Sequence, residues 1–326
     1  MFFFHRDYFR NARGQHLKVF FYGLLMMLLA FILMTVLTVV VFGGGMGMIF
    51  GDYIALGIMT FIFGGLLLLA FSILVLMPLQ YSIYAYYMYG YNGTDFSFKD
   101  GLILFRKGNF WKSVGIILLL MIMAMVISSV VSGVVYGLVF VVASLFGVGS
   151  ALIDPEGIEA LSIGASIVLI ILQFVLAMFQ IAFSILTQLA ITMVMLNHID
   201  QPQTTLGSKL AKGLTIAFQS FKDLLKLLFS NFILMIIPVI LIFAAIITML
   251  IAGLTFSTSD TMPVGIAVGM IILTIGITIM YIFIGYYMIG SFISYYFNGR
   301  DRYERKHEAP SQDDYRVDDT QHITMS

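Results

Sequence analysis

The organisation of the chain is set out in residues 86–112, which read YYMYGYNGTDFSFKDGLILFRKGNFWK. This stretch joins two long apolar runs and carries, in order, a cluster of tyrosines, a tight turn, a short amphipathic segment and a group of basic residues. Its turn motif, YNGTD at residues 91–95, has counterparts in LNHID at 196–200 and FNGRD at 297–301. Each copy follows the second apolar run of a pair. This order predicts three repeated membrane hairpins.

The composition places the chain outside the range of water-soluble domains. Hydrophobic residues make up 60% of the 326 positions, charged residues only 10%, and the mean hydropathy is +1.02. About 20 apolar residues are needed to cross a bilayer as a helix. The runs that meet this length are residues 19–42, 53–84, 113–146, 161–196, 227–254 and 264–296. We therefore expect an all-α integral membrane fold with six transmembrane helices.

The segments around these runs complete the predicted organisation. Residues 1–18 form an N-terminal segment at the membrane interface, residues 19–297 form the membrane domain, and residues 298–326 form a polar tail. The tail lacks apolar periodicity, which predicts disorder in the cytoplasm. The connectors at 97–105 and 208–228 have the apolar spacing of amphipathic helices lying in the interface. In the shorter connector, Ser97 and Asp100 have the spacing of a capping box.

The basic residues predict the orientation. All 17 lysines and arginines precede the first run, lie between the second and third or the fourth and fifth, or follow the sixth. The charged residues of the opposite loops are all acidic. Because basic residues mark the cytoplasmic side, both termini are predicted to be cytoplasmic. The basic residues of the two internal connectors are predicted contacts for anionic lipid: Lys99, Arg106, Lys107, Lys112, Lys209, Lys212, Lys222 and Lys226.

The fourth apolar run carries a polar face. Its members are Gln173, Gln180, Ser184, Thr187 and Gln188. Their spacing places them on one side of a helix. Two interpretations are open: interhelical hydrogen bonds that hold the bundle together, or a polar groove for a lipid headgroup or a peptide.

Other features of the runs predict local geometry. Gly-rich residues 43–48, GGGMGM, are typical of a flexible outer turn, and Pro78 and Pro238 are predicted kinks. Small residues predict close helix contacts on the third and sixth runs: Ser129, Gly133 and Gly137, and Gly265, Gly269 and Gly276.

Several function classes lack support in the sequence. The net charge is zero, so nothing in the charge balance favours a nucleic-acid partner, and there are no cysteines. The five histidines show no metal-ligand spacing. No catalytic or nucleotide motif is present, and no charged residue lies deep in the six runs. We therefore expect a protein that is not an enzyme and uses no cofactor.

Two stretches resemble a group of bacterial six-helix membrane proteins. They are YFRNARGQHLKVFFYGLLM at residues 8–26 and FKDGLILFRKGNFWKSVGIILLL at residues 98–120. The group includes YciC-like inner-membrane proteins and the membrane domain attached to some glycerophosphodiester phosphodiesterases. The resemblance implies a multi-pass protein of the bacterial cytoplasmic membrane. The phosphodiesterase domain has no counterpart here, so its activity is not implied.

These observations lead to two expectations for function. The first is an accessory or scaffold protein that engages lipids or partner membrane proteins, in envelope homeostasis or export. The second is a transporter or permease subunit for an amphipathic substrate, working with a separate ABC-type ATPase or without one. The polar face and the basic connectors are the surfaces on which either role would depend.

Overall fold

The computed structural model describes residues 2–145, 163–256 and 264–307, and these residues form helices with no strand. The α-helices are α1 (Phe3–Asn11), α2 (His16–Thr38), α3 (Gly44–Phe50), α4 (Ile54–Phe71), α5 (Met77–Tyr91), α6 (Phe98–Gly101), α7 (Phe110–Leu145), α8 (Ile163–Asp200), α9 (Leu206–Phe218), α10 (Phe221–Phe256) and α11 (Val264–His307). Short π-helical turns join α2 to α3 and α4 to α5, and a 3₁₀ turn follows α6.

Within the described ranges, six helical stretches are long and apolar enough to cross a membrane, which confirms the predicted all-α, multi-pass class. They are His16–Phe50, Ile54–Tyr91, Phe110–Val142, Ile170–Asp200, Phe221–Thr248 and Ile271–His307. At the ends predicted to be cytoplasmic, each stretch extends past its apolar run. The largest difference is at the end of α11, where residues 298–307, assigned to the tail from sequence, continue the helix. The rest of the predicted tail lies outside the described residues.

Two local predictions are wrong. Gly44 to Met48, expected as a flexible turn, belong to α3, and the chain turns at Gly51 and Asp52 instead, where Asp52 has φ 67°. The connector 208–228 is not one helix, because α9 ends at Phe218 and α10 begins at Phe221 and continues into the span.

The capping box is confirmed: the Ser97 backbone N–H donates to Asp100 Oδ2 at 2.8 Å.

The two prolines affect their helices differently. A π-helical turn, Ser72–Leu76, comes directly before Pro78. Proline has no N–H, and its ring crowds the carbonyl four residues earlier, so the wider turn gives the backbone of Leu74 room. Pro238 lies inside α10, which continues as an α-helix on both sides.

The described chain divides into two compact units. Of the described residues, those within 2–32, 80–103 and 214–307 form unit 1, and those within 33–79 and 104–213 form unit 2. In unit 1, the N-terminal helix α1 packs against α11 with one face, which buries Phe4, Asp7 and Tyr8, while Phe3 and Arg6 on its other side are exposed. A Cβ atom at Gly290 would lie 2.5 Å from Cδ1 of the Tyr8 ring, so only glycine allows this approach.

In unit 2, α7 packs along α8, and α3 packs against α4. Among the described residues, the expected small-residue contacts of α7 are not formed, since a Cβ atom at Gly133 or Gly137 would meet nothing within 4 Å and Ser129 is exposed. Their counterparts in α11, Gly269 and Gly276, are equally open. The surroundings of Gly265 lie outside the described residues.

Candidate functional site

The predicted polar face lines a groove between α7 and α8 of unit 2. The groove has a volume of about 490 Å³. The α8 wall carries Gln180, Ser184, Thr187 and Gln188, and Ser128 adds a hydroxyl from α7. Gln173 is exposed on α8 and is not part of the lining. The structure thus brings together four of the five predicted residues. Ser128 was missed from sequence, although Ser128 and Ser132 are four residues apart and therefore lie on one helix face.

The groove lies near the middle of both helices that form it. Ser184 is 14 residues from the start and 16 from the end of the span Ile170–Asp200. Ser128 is 18 and 14 residues from the ends of the span Phe110–Val142. At 1.5 Å per residue, both positions are about 20 Å or more from the end of a span. The polar groups of the groove are therefore far from the water that would bathe the helix ends.

Hydrogen bonding within the groove is incomplete. Gln180 Nε2 donates to Ser132 Oγ at 3.2 Å and so joins α8 to α7. Thr187 Oγ1 donates to the carbonyl of Phe183 at 3.0 Å. The side chains of Ser184 and Gln188 are exposed and make no hydrogen bond to any described residue. Gln180 thus joins the two helices, as the first interpretation predicts, while Ser184 and Gln188 face open space. The second interpretation, a groove for a lipid headgroup or a peptide, stays a prediction.

The groove offers hydrogen bonds but no charge. Every residue of its lining is neutral. The amide of Gln188 can donate and accept, and the hydroxyls of Ser128 and Ser184 can do either. Among the described residues, no group of three or more His, Asp or Glu side chains is placed to hold a metal ion. The arrangement can bind an uncharged polar group, and it contains no acid, base or nucleophile paired for catalysis.

The eight predicted lipid-contacting basic residues fall into different environments. The side chains of five are exposed: Lys99, Arg106, Lys107, Lys112 and Lys222. Lys226 forms an ion pair with Asp223 at 2.9 Å. Lys209 and Lys212 are buried, with Lys209 only 2% exposed. The polar side of the connector therefore faces inward at these two lysines, and their ammonium groups do not reach the surface.

Lys209 is held in a buried polar cluster of unit 2. Its Nζ donates to the carbonyl of Pro202 at 2.8 Å and lies 2.9 Å from His198 Nδ1. His198 Nε2 lies 2.9 Å from Ser113 Oγ. Burial, with a further contribution from Lys112, lowers the pKa of Lys209. A serine next to a histidine invites comparison with hydrolases. Ser113 and His198 are, however, fully buried, so the pair does not open onto the surface of the described chain.

A second buried cluster, in unit 1, is centred on Asp7. Its Oδ2 accepts hydrogen bonds from Tyr91 Oη at 2.9 Å, Ser294 Oγ at 2.6 Å and Asn298 Nδ2 at 3.1 Å. Tyr91 begins the YNGTD motif, and its ring stacks at 4.6 Å on that of Phe297, which begins FNGRD. Two copies of the turn motif thus meet at the N-terminal helix. Asp7 also lines a small pocket of about 120 Å³ together with Phe3, Arg6 and Arg10.

Comparison of the chain with protein-family models, curated proteins and solved structures gives no match. The resemblance to YciC-like proteins therefore stays a prediction, and the groove and the exposed basic residues are the basis for any statement about function.

Proposed function

We propose that this chain is a non-enzymatic, multi-pass membrane protein that binds membrane lipid in the groove between α7 and α8. The observation that carries the proposal is the pair of unpartnered polar side chains, Ser184 and Gln188, in the middle of an apolar span. A polar group left unpaired in an apolar environment costs about 1–3 kcal/mol. A lipid whose polar group reaches the groove removes this cost.

The surroundings of the groove suit a lipid. Ile181 lines it, and Ile185 lies beside it on α8; both side chains are about half exposed and provide apolar surface for acyl chains. Near the start of α7, Trp111 is 74% exposed between the exposed basic residues Lys107 and Lys112. Tryptophan favours the headgroup level, and each basic residue there attracts anionic lipid by about 1 kcal/mol. Unit 2 therefore combines a headgroup anchor with a groove at mid-span.

The same proposal covers location and role. We place the protein in the bacterial cytoplasmic membrane with both termini in the cytoplasm, from the distribution of its basic residues and its resemblance to YciC-like proteins. There it acts as an accessory or scaffold protein in envelope homeostasis or export. Its partners are membrane lipids and other membrane proteins, and no nucleic acid.

A second candidate function is supported by the position of the groove. Carriers commonly hold their substrate near the bilayer midplane, and the groove lies near the middle of its two spans. In this role the chain is a transporter or permease subunit for an amphipathic substrate, with or without a separate ABC-type ATPase. Stoichiometric co-purification of an ATPase in mild detergent favours this candidate. Co-purification of lipid alone favours the first.

The lipid-binding proposal is tested by native mass spectrometry of the purified protein during stepwise delipidation. The double variant Ser184→Ala, Gln188→Leu removes both unpartnered polar groups. At about 1 kcal/mol for each hydrogen bond, we expect lipid to be bound about 30-fold more weakly. Gln173→Leu is the matched control, since Gln173 is on the same helix outside the groove. Equal lipid retention by all three proteins would contradict the proposal.

A further inference from the structure

We infer that the groove selects lipids with an uncharged, hydroxyl-bearing headgroup, such as diacylglycerol, over lipids with a phosphate. This inference rests on the proposed function and names the ligand class of the same groove. It depends on the chemistry of the lining, which is polar at Ser128, Ser184 and Gln188 and neutral throughout.

The two helices that form the groove carry no basic residue near it that could pair with a phosphate. The nearest basic residue of α7 is Lys112, 16 residues before Ser128, or about 24 Å along the helix. On α8, the nearest charged residue beyond Gln188 is Asp200, which is acidic. A phosphate in the groove would thus meet hydrogen-bond donors but no cation. A charge at the centre of a spanning helix is disfavoured by about 100-fold on insertion scales.

The groove also matches a hydroxyl group. A hydroxyl both donates and accepts, as do the side chains of Ser184 and Gln188. The carboxamide of Gln188 supplies an N–H and a C=O on one group, so a single hydroxyl satisfies both. The other amide, Gln180, is already bonded to Ser132 and keeps the wall in place.

The volume of the groove suits the head of a small lipid. The volume of about 490 Å³ lies in the range of small-molecule sites, which is about 300–1,000 Å³. Such a groove accommodates a glycerol headgroup with the first part of its acyl chains. The remaining methylenes lie along the exposed apolar surface of Ile185 and its neighbours. The occupant is therefore an amphipathic lipid with a small neutral head.

The test uses the full chain in nanodiscs with two photoactivatable lipids, diacylglycerol and phosphatidic acid, that carry identical acyl chains. Cross-linked peptides are mapped by mass spectrometry. We expect diacylglycerol to label peptides that contain residues 124–131 and 177–191. Unlabelled phosphatidic acid should compete about 100-fold less well than unlabelled diacylglycerol. Gln173→Leu should leave the labelling unchanged.

A variant that changes the lipid preference distinguishes a loss of binding from a loss of folding. Gln188→Lys places a cation in the groove, and this variant should label more strongly with phosphatidic acid than the wild type does. A variant that failed to fold would gain no such preference. If Gln188→Lys is poorly produced, Ser184→Lys serves the same purpose from the neighbouring turn.

The outcomes separate the two proposals. Equal or stronger labelling of the wild-type groove by phosphatidic acid overturns the selectivity and leaves lipid binding in place. Labelling by neither lipid in the groove overturns both. Protection of the groove by a bound partner helix, seen as cross-links to a second protein, also overturns the inference.

Discussion

Asp7→Ala should destabilise the protein strongly, although Asp7 lies near one end of the chain. The Asp7 side chain is 8% exposed, and its carboxylate accepts hydrogen bonds from Tyr91, Ser294 and Asn298. Alanine leaves these three donors without their shared acceptor. The ion pair with Arg10, whose side chain is 77% exposed, adds little. Breaking a buried charged network costs about 3–5 kcal/mol, which we expect for this variant.

The effect can be measured as the midpoint temperature of thermal unfolding in detergent, with size-exclusion chromatography used to monitor the folded fraction. A loss of 3–5 kcal/mol corresponds to a shift of roughly 10 °C for a unit of this size. Asp7→Asn keeps one acceptor oxygen and should lie between the wild type and Asp7→Ala. Asp95→Ala is the control, because the Asp95 side chain is 89% exposed and its ion pair with Lys18 lies at the surface. Equal midpoints for Asp7→Ala and Asp95→Ala would refute the reasoning.

Three further experiments test other parts of the structure. Burial lowers the pKa of His5 from 6.5, so the unfolded chain binds more protons than the folded chain, and the stability of the fold should decrease as the pH drops through 6.5. His5→Gln should reduce this loss of stability. The same pH dependence of stability in the variant and the wild type would contradict the prediction. Gly290→Ala should lower the unfolding midpoint because the new methyl meets the ring of α1, whereas Gly276→Ala should be neutral or stabilising by up to about 1 kcal/mol. Lys209 is buried and Lys107 is exposed, so Lys209 should react at least tenfold more slowly with a water-soluble amine reagent. This ratio follows if the structure around Lys209 must open locally at a cost of only about 1.4 kcal/mol. Equal rates would mean that Lys209 is not buried.

Hydropathy was sufficient to predict the six spans, because a helix that crosses hydrocarbon must be apolar over about 20 residues. It did not predict where the helices end. The end of α11 shows the reason: beyond Phe297 the sequence becomes polar, but the helix continues to His307. Backbone hydrogen bonds and pairs such as Arg300 with Glu304, 3.9 Å apart, are sufficient to extend it. Composition records a change of surroundings, which need not be a change of structure.

Periodicity predicted a polar side for the second connector but not what that side would face. Lys209 and Lys212 are on the expected side, and both are buried. The acceptors that allow this, among them the Pro202 carbonyl, depend on how the chain folds back on itself. The same limit applies to Asp7, whose partners Tyr91 and Asn298 are 84 and 291 residues away. Local patterns contain no information about such distant pairs.

The groove was predictable in part for a physical reason. Polar residues in an apolar span are conspicuous, and their spacing fixes the helix face on which they lie. Spacing does not show where the neighbouring helix leaves space. Gln173 satisfies the periodicity as well as Gln180 does, yet only Gln180 reaches the wall formed with Ser132. The lining therefore required the structure.

The central claim, that the groove of unit 2 is open to membrane lipid, is tested most directly by electron paramagnetic resonance on a single spin label. The chain contains no cysteine, so Ser184→Cys provides one unique attachment site. Oxygen dissolves in hydrocarbon, whereas a charged nickel chelate stays in water. We predict that a label at residue 184 in lipid bilayers collides with oxygen and not with the chelate, as a label at the exposed position 173 does. A label that the chelate reaches, or that neither reagent reaches, would contradict the account.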